Sequence, residues 1–248
     1  MNELLKVERI KKKYGSHHAV KGVSFCVNKK ETLGIVGESG SGKTTVARLI
    51  LRLIEPTGGK VFFCDQELFS LSSKEMKKVR REIQVVFQNP AASLNPRKTI
   101  FDTLSEAPLL HSLCTEQDAI PYVQTLLDDV GLARDLLSRY PHELSLGQQQ
   151  RISIARALSV QPSLLILDEC VSSLDISVQA QILNLLQDLK ERHQMTYLFI
   201  SHDLYVVEHL ADKVIVMKEG EIVEEGSTEE VMQKASHPYT QKLLSSKL

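Results

Sequence analysis

The alternation of apolar and polar positions divides the chain into three stretches. Val23, Phe25 and Val27 alternate with polar neighbours, and Leu33-Gly34-Ile35-Val36 forms a short apolar run that stops at Gly37. Both patterns predict strands within the first thirty-odd residues. A helix is expected from Lys43 to Ile54, halted by Glu55-Pro56-Thr57-Gly58-Gly59. Val61–Phe63 and Ile83–Phe87 read as further strands, and the Lys11–Lys13 run reads as a solvated turn. From Asn89 to Pro162 the pattern changes: Pro90, Pro96 and Pro108 punctuate its start and short helices follow. Buried-strand runs then return at Leu164–Leu167 and Tyr197–Ile200, with a helix over Val178–Arg192 between them. Val214–Met217, Glu219-Gly220 and Ile222-Val223 read as a hairpin. Strands alternating with helices imply an α/β fold with a parallel-containing core, into which the middle stretch is inserted as helices.

Composition narrows the class without naming a function. The 248 residues are 42% hydrophobic and 25% charged, an ordinary globular balance. Lys plus Arg is 30 and Asp plus Glu is 31, a net charge of −1 that argues against a broad nucleic-acid surface. No window holds 18 uninterrupted apolar residues, and the first eight residues lack the apolar core of a signal peptide. Cys26, Cys64, Cys114 and Cys170 are scattered without C-x-x-C spacing and read as reduced thiols. A soluble intracellular protein is expected.

The chemistry begins at Gly37-Glu38-Ser39-Gly40-Ser41-Gly42-Lys43-Thr44, which matches G-x-x-x-x-G-K-[ST] in full. An apolar strand precedes it and a helix follows. Its glycines let successive N–H groups turn toward phosphate oxygens, and the helix start adds positive potential. Lys43 is expected to reach the β- and γ-phosphates, and the Thr44 hydroxyl to ligate Mg²⁺. A glycine-rich turn matching by chance is the alternative. The second feature is Leu164-Leu165-Ile166-Leu167-Asp168-Glu169, four apolar residues ending in two acids. Carboxylates at the end of a buried strand stand at the carboxyl edge of the sheet, beside the phosphate loop. Asp168 is expected in a Mg²⁺ shell and Glu169 beside an attacking water; a solvated strand-end pair is the alternative.

His142-Glu143-Leu144-Ser145-Leu146-Gly147-Gln148-Gln149-Gln150-Arg151 adds a third motif, upstream of the acidic strand. Ser145 and Gln148, three apart, form a capping-box arrangement at a helix start, where N–H groups and the helix dipole favour an anion. The stretch resembles the L-S-G-G-Q signature of ATP-binding cassette (ABC) ATPases, and the resemblance covers essentially the whole chain. It implies a P-loop core with a mixed sheet, an N-terminal antiparallel β subdomain and an inserted α-helical subdomain. The division expected is 1–88 and 163–235 for the catalytic core with the β subdomain, 89–162 for the helical insert and 236–248 for a short tail.

The resemblance also implies roles for individual residues. Gly37, Glu38, Ser39, Gly40, Ser41, Gly42, Lys43, Thr44 and Thr45 would hold ATP, with Tyr14 stacked on adenine. Thr44, Gln88 and Asp168 would hold Mg²⁺. Glu169, His202, Gln88 and Lys43 would be catalytic. Ser145, Gly147 and Gln148 of the signature, with Asp175 of Ser173-Leu174-Asp175, would face the nucleotide of an opposing subunit. The implied partners are a second ABC ATPase subunit, two transmembrane permease subunits and, indirectly, an extracytoplasmic solute-binding protein, with no nucleic acid. The expected location is the cytoplasmic face of the cell membrane.

Two segments resemble the oligopeptide, dipeptide and nickel importer branch: Phe87-Gln88-Asn89-Pro90-Ala91-Ala92-Ser93-Leu94-Asn95-Pro96, and His237-Pro238-Tyr239-Thr240-Gln241 with Leu243-Leu244. Peptide is the leading expected solute, with nickel or another small solute as the alternative. In that branch an extension follows the second segment; here eight residues follow Thr240, so a chain without it is expected.

The chain departs from the family pattern at two positions. Leu146 stands where the signature has its first glycine, adding bulk and making any positive φ costly. Cys170 replaces a proline, and little chemistry is expected from it. An altered signature beside an intact phosphate loop points to a heterodimer with unequal sites. The competing readings are a non-transport cassette acting on DNA or ribosomes, a P-loop kinase or GTPase, and a module that binds ATP without hydrolysing it. Against the first, the chain shows one cassette, no heptad run and no basic excess; the second leaves the signature and His202 unexplained; the third conflicts with Glu169 and His202.

Overall fold

The computed structural model describes residues 2–245, so Met1 and residues 246–248 of the expected tail lie outside the described residues. Ten strands and ten α-helices follow one another in the described chain. The strands are β1 (Glu3–Tyr14), β2 (His17–Asn28), β3 (Thr32–Val36), β4 (Gly58–Phe63), β5 (Gln66–Glu67), β6 (Ile83–Val86), β7 (Leu164–Asp168), β8 (Thr196–Ser201), β9 (Lys213–Lys218) and β10 (Glu221–Ser227). The helices are α1 (Lys43–Ile50), α2 (Ser73–Glu82), α3 (Pro90–Ser93), α4 (Ile100–Leu110), α5 (Ala119–Asp129), α6 (Leu146–Leu158), α7 (Ile176–His193), α8 (Leu204–Glu208), α9 (Thr228–Lys234) and α10 (Pro238–Ser245).

The strands form two sheets. One is antiparallel, in the order β2-β1-β4-β5; the other is mixed, in the order β10-β9-β3-β8-β7-β6. In the mixed sheet β3 lies between β8 and β9, parallel to both, and β7 lies between β8 and β6, parallel to both. Only β10 runs antiparallel to its neighbour there. β3, β7 and β8 are buried along their whole length, which is why they read as unbroken apolar runs rather than alternations.

Side chains alternate across this sheet into two cores. Leu164 and Ile166 of β7 with Leu198 and Ile200 of β8 pack against α1, α2 and the antiparallel sheet. Leu165 and Leu167 with Tyr197 and Phe199 pack against α4–α7 on the other side. Strand ends carry the site, because β3, β7 and β8 point the same way and deliver residues 37, 169 and 202 to one edge.

Two expectations are corrected. Lys11–Lys13 is not a turn but part of β1, with Lys11 opposite Lys21, Lys12 opposite Val20 and Lys13 opposite His18. The run looked turn-like because the alternation is interrupted. Arg9 has a φ of 45°, its N–H donates to the Ser24 hydroxyl at 2.8 Å, and the register shifts between Val7 and Ile10. The expected helix to Ile54 ends at Ile50. Arg52 takes φ 50°, its N–H donates to the Leu49 carbonyl at 3.0 Å, and the Leu53 N–H donates to the Arg48 carbonyl at 2.9 Å. These bonds form a Schellman closure, here built on an arginine. The Arg52 guanidinium donates to the Leu68 and Leu71 carbonyls and thereby holds that conformation.

No helix among the described residues is long and apolar enough to cross a membrane.

Candidate functional site

The loop between β3 and α1 fits its strand only because of its glycines. Gly42, the residue before the helix, has φ 105°, and a Cβ there would stand 2.5 Å from the Ala19 carbonyl oxygen. The first N–H groups of α1 have no acceptor within the helix, and no side chain caps them. Lys43 is 3% exposed, and its ammonium donates to the Gly37 carbonyl at 2.7 Å, the Glu38 carbonyl at 3.0 Å and the Ser41 hydroxyl at 3.4 Å. Burial pushes this ammonium below its ordinary pKa, opposed by the carboxylates of Glu169 and Asp168.

β7 brings both acids to this loop. The Thr44 hydroxyl donates to Asp168 Oδ1 at 3.2 Å. Asp168 is buried, which raises its carboxyl; the Thr44 bond works in the opposite direction. Glu169 has φ 50°, a left-handed conformation costing about 1–3 kcal/mol for a non-glycine residue. Its N–H donates to the Ile200 carbonyl at 2.9 Å, which holds the turn. The turn places the Glu169 carboxylate among three partners. Oε1 is 3.9 Å from Lys43 Nζ; Oε2 accepts from Gln88 Nε2 at 3.2 Å and stands 3.7 Å from His202 Nδ1. Gln88 also donates to the Ser172 hydroxyl at 3.1 Å, and its carbonyl accepts from Ser173 at 3.2 Å.

Tyr14, Ser39, Gly40, Gly42, Lys43, Thr44, Thr45 and Glu169 share a cavity of about 260 Å³. Tyr14 is 46% exposed, with the Lys12 ammonium 5.0 Å from its ring centre. Thr44 also opens, with Gln88 and Asp168, onto a cavity of about 500 Å³ that Arg48 and Arg156 line as well. A larger cavity of about 930 Å³, lined by Lys74, Lys78 and Arg81, includes none of the phosphate-loop residues.

The signature residues stand elsewhere. Ser145 caps α6: its hydroxyl accepts from the Gln148 N–H at 3.3 Å, and its N–H donates to Gln148 Oε1 at 3.0 Å. Asp175 caps α7, accepting from the Ser177 hydroxyl at 2.7 Å and the Val178 N–H at 3.0 Å, and the Ser177 bond leads in lowering its carboxyl. Gly147 joins the two helix starts, since a Cβ on it would stand 2.8 Å from Val178 Cγ1. Among the described residues, no hydrogen bond links Ser145, Gly147, Gln148 or Asp175 to the phosphate loop.

Leu146 occupies the first position of α6 and is not among the positive-φ residues. The backbone cost expected there does not arise; what remains is a leucine side chain 40% exposed on the signature surface. Cys170 is fully buried, and burial pushes its thiol up to about 12, which removes it from thiolate chemistry at neutral pH.

Sequence reading missed Gln149, which is buried and donates to the Pro141 carbonyl at 2.9 Å and the Leu144 carbonyl at 3.0 Å, holding the loop in front of Ser145. It also missed Arg156, which donates to the Ser93 carbonyl at 2.6 Å and ties α6 to the segment after Gln88. A glutamine and an arginine on the buried side of a helical pattern were the available signals.

A glycine-bounded loop between a central parallel strand and a helix, facing a strand-end Asp-Glu pair, defines a P-loop nucleotide-binding protein. The family model described as ABC transporter matches residues 20–172. The oligopeptide transport ATP-binding protein AppF of Bacillus subtilis is 50% identical over 236 residues, covering 95% of this chain and 72% of that protein. A peptide import ATP-binding protein of Brucella ovis is 46% identical over 246 residues, covering 98% and 78%. Among solved structures, the ATP-binding cassette MJ0796, dimeric with ADP and Pi bound, superposes with a TM-score of 0.81 at 30% identity, covering 91% of this chain and 99% of that one. The chain belongs to the ABC transporter family and is an ATPase domain of it.

Proposed function

We propose that this chain is the energy-coupling ATPase of a membrane importer for peptides. The observation that carries the reading is the convergence of Lys43, Gln88 and His202 on the one carboxylate of Glu169 at the rim of the phosphate loop. The names of the Bacillus and Brucella relatives support peptide as the solute class.

In this reading ATP binds with adenine against Tyr14 and its phosphates within Gly37–Thr45. Lys43 exchanges its loop carbonyls for phosphate oxygens and stabilises charge on the transferred group. Glu169 accepts the proton of the attacking water, and Gln88 and His202 align that water. The hydroxyl of Thr44, the buried carboxylate of Asp168 and the amide oxygen of Gln88, three residues that line one cavity, would offer Mg²⁺ the hard oxygen donors it takes. When bound, Mg²⁺ supplies charge neutralisation to the phosphates.

The separation of Ser145, Gly147, Gln148 and Asp175 from the phosphate loop supports a two-subunit site. Each signature would cap the γ-phosphate held by the opposite subunit, and the dimeric MJ0796 structure is consistent with such pairing. We assign the partner as a second, different ABC ATPase, because the bulky Leu146 would serve that partner's site less well than a glycine. Two permease subunits would carry the solute path, an extracytoplasmic binding protein would deliver it, and this chain would dock at the cytoplasmic face. Residues 1–88 and 163–235 are assigned to the catalytic core with the β subdomain, 89–162 to the helical subdomain and 236–248 to the tail.

The test is reconstitution of the complex purified from native membranes into proteoliposomes. ATP hydrolysis that rises with a peptide-loaded binding protein and is abolished by Lys43→Ala is the expected result. Hydrolysis indifferent to peptide would remove the solute assignment, and hydrolysis undiminished in the Lys43→Ala complex would remove the site assignment.

A further inference from the structure

The peptide group between Gly37 and Glu38 is held from both sides. Its carbonyl, that of Gly37, accepts from the Lys43 ammonium at 2.7 Å. Its N–H, that of Glu38, donates to the Tyr239 hydroxyl at 2.9 Å, a contact spanning 201 residues. A peptide unit is planar, so its two ends cannot turn independently. Whatever fixes the N–H also fixes the carbonyl that receives Lys43.

Tyr239 is well placed to be that anchor. It lies on α10, is 7% exposed and packs within the core shared with β9 and α8. The Lys218 ammonium lies 5.2 Å from its ring centre. The start of the tail is clamped in turn. One Glu224 oxygen accepts from the Ser236 N–H at 2.6 Å and its hydroxyl at 3.0 Å, and the other accepts from the His237 N–H at 3.3 Å. His237 Nδ1 then accepts from the Tyr239 N–H at 3.1 Å. Near the far end of α10 the Leu244 carbonyl accepts from the Tyr205 hydroxyl at 3.3 Å, on the helix that follows His202. The C-terminal helix therefore reaches the phosphate loop through Tyr239 and the helix after His202 through Leu244.

We infer that Tyr239 is a positioning residue for ATP binding: its hydroxyl sets the Gly37–Glu38 peptide, and through it the resting place of Lys43, so that the C-terminal helix becomes a working part of the phosphate loop. The inference rests on the reading of that loop as an ATP site.

The experiment measures ATP affinity of the purified full-length chain by calorimetric titration, with thermal unfolding alongside. The proteins are the wild type, Tyr239→Phe, Lys43→Ala and the double variant. Tyr239→Phe keeps the ring, its packing and the Lys218 contact, and removes only the hydroxyl. Loss of one such hydrogen bond is expected to weaken ATP binding about 3- to 10-fold. Because the hydroxyl acts through Lys43, the same change in the Lys43→Ala background should have no further effect on affinity. Glu224→Gln loosens the tail clamp without touching Tyr239 and should weaken ATP binding in the same direction by a smaller factor, which keeps the test decisive if Tyr239→Phe folds poorly. An ATP affinity unchanged in Tyr239→Phe and Glu224→Gln, even with lower melting temperatures, would reduce Tyr239 to a packing residue and overturn the inference. An equal loss in both Lys43 backgrounds would also overturn it. Failure of the wild type itself to bind ATP would instead count against the reading of the loop.

Discussion

The carboxylate of Glu169 stands 3.9 Å from the ammonium of Lys43, although one follows β7 and the other opens α1. The pairing depends on the left-handed backbone at Glu169, which swings the side chain back over the phosphate loop. In the assembled complex, Glu169→Gln is expected to lower the ATP turnover number about 10²- to 10⁴-fold, the range for loss of a general base. Binding should persist, because glutamine retains the shape, and the subunits should remain together with ATP between them on size-exclusion chromatography. Normal turnover by this variant would remove Glu169 from the base role.

Leu146 bears on the proposed two-subunit site. Its backbone is helical, so the backbone penalty is absent and only bulk distinguishes it from glycine. Leu146→Gly in the complex should raise turnover at the partner's nucleotide site while costing up to about 1 kcal/mol of helix stability. Site-resolved nucleotide trapping separates the two subunits. Equal turnover before and after the change would show that the leucine is neutral.

Gly147 is held to glycine by space rather than by backbone conformation. A methyl group there meets Val178 Cγ1 at 2.8 Å, and valine in a helix has little rotamer freedom with which to yield. Gly147→Ala should destabilise the fold by about 1–3 kcal/mol, read as a drop of about 2–12 °C in melting temperature. In a Val178→Ala background the same change should be neutral or stabilising, because alanine favours helix over glycine. A cycle without this reversal would show that the two helix starts do not compete for that space.

The Glu31–Lys213 pair makes stability depend on pH in a defined direction. Burial alone would raise the Glu31 carboxyl, but Lys213, 2.9 Å away, and the Asn28 N–H outweigh it and hold it below 4.5. The hydrogen bond to Glu31 leads in raising Lys213 above 10.5. A lowered acid contributes stability above its unfolded value and loses it as pH falls through its folded value; a raised base contributes below its unfolded value and loses it as pH rises through its folded value. The contribution is therefore full between about 4.5 and 10.5. Since Lys213 is partly solvated, Glu31→Gln should cost at most about 1 kcal/mol at pH 7, about 2–4 °C, and that difference should shrink below pH 4.5. A constant offset down to the acid limit would assign the loss to packing instead.

What the sequence disclosed follows from how local each signal is. The strand leading into Gly37 and the strand ending at Asp168 are short apolar runs buried on both faces, and their chemistry is contiguous with them. Ser145 and Gln148 are three apart, so their capping box was legible as well. α2 was not, because Met76 and Val79 are its only buried residues in a charged stretch. The turn at Arg52 was hidden because its partners, Leu68 and Leu71, lie in a different segment. The Tyr239 contact with Glu38 is illegible for the same reason at greater distance. Its motif was visible, but the side of the fold to which α10 returns is fixed by tertiary packing.

The alternation of side chains along β7 and β8 sets how this subunit tolerates change. Leu164 and Ile166 answer to one layer, Leu165 and Leu167 to the other, so substitutions in the two layers share few neighbours and their energetic effects add. In the proposed importer, changes that fit the helices of residues 89–162 to a membrane partner would fall in one layer and leave the layer behind α1 unrepacked.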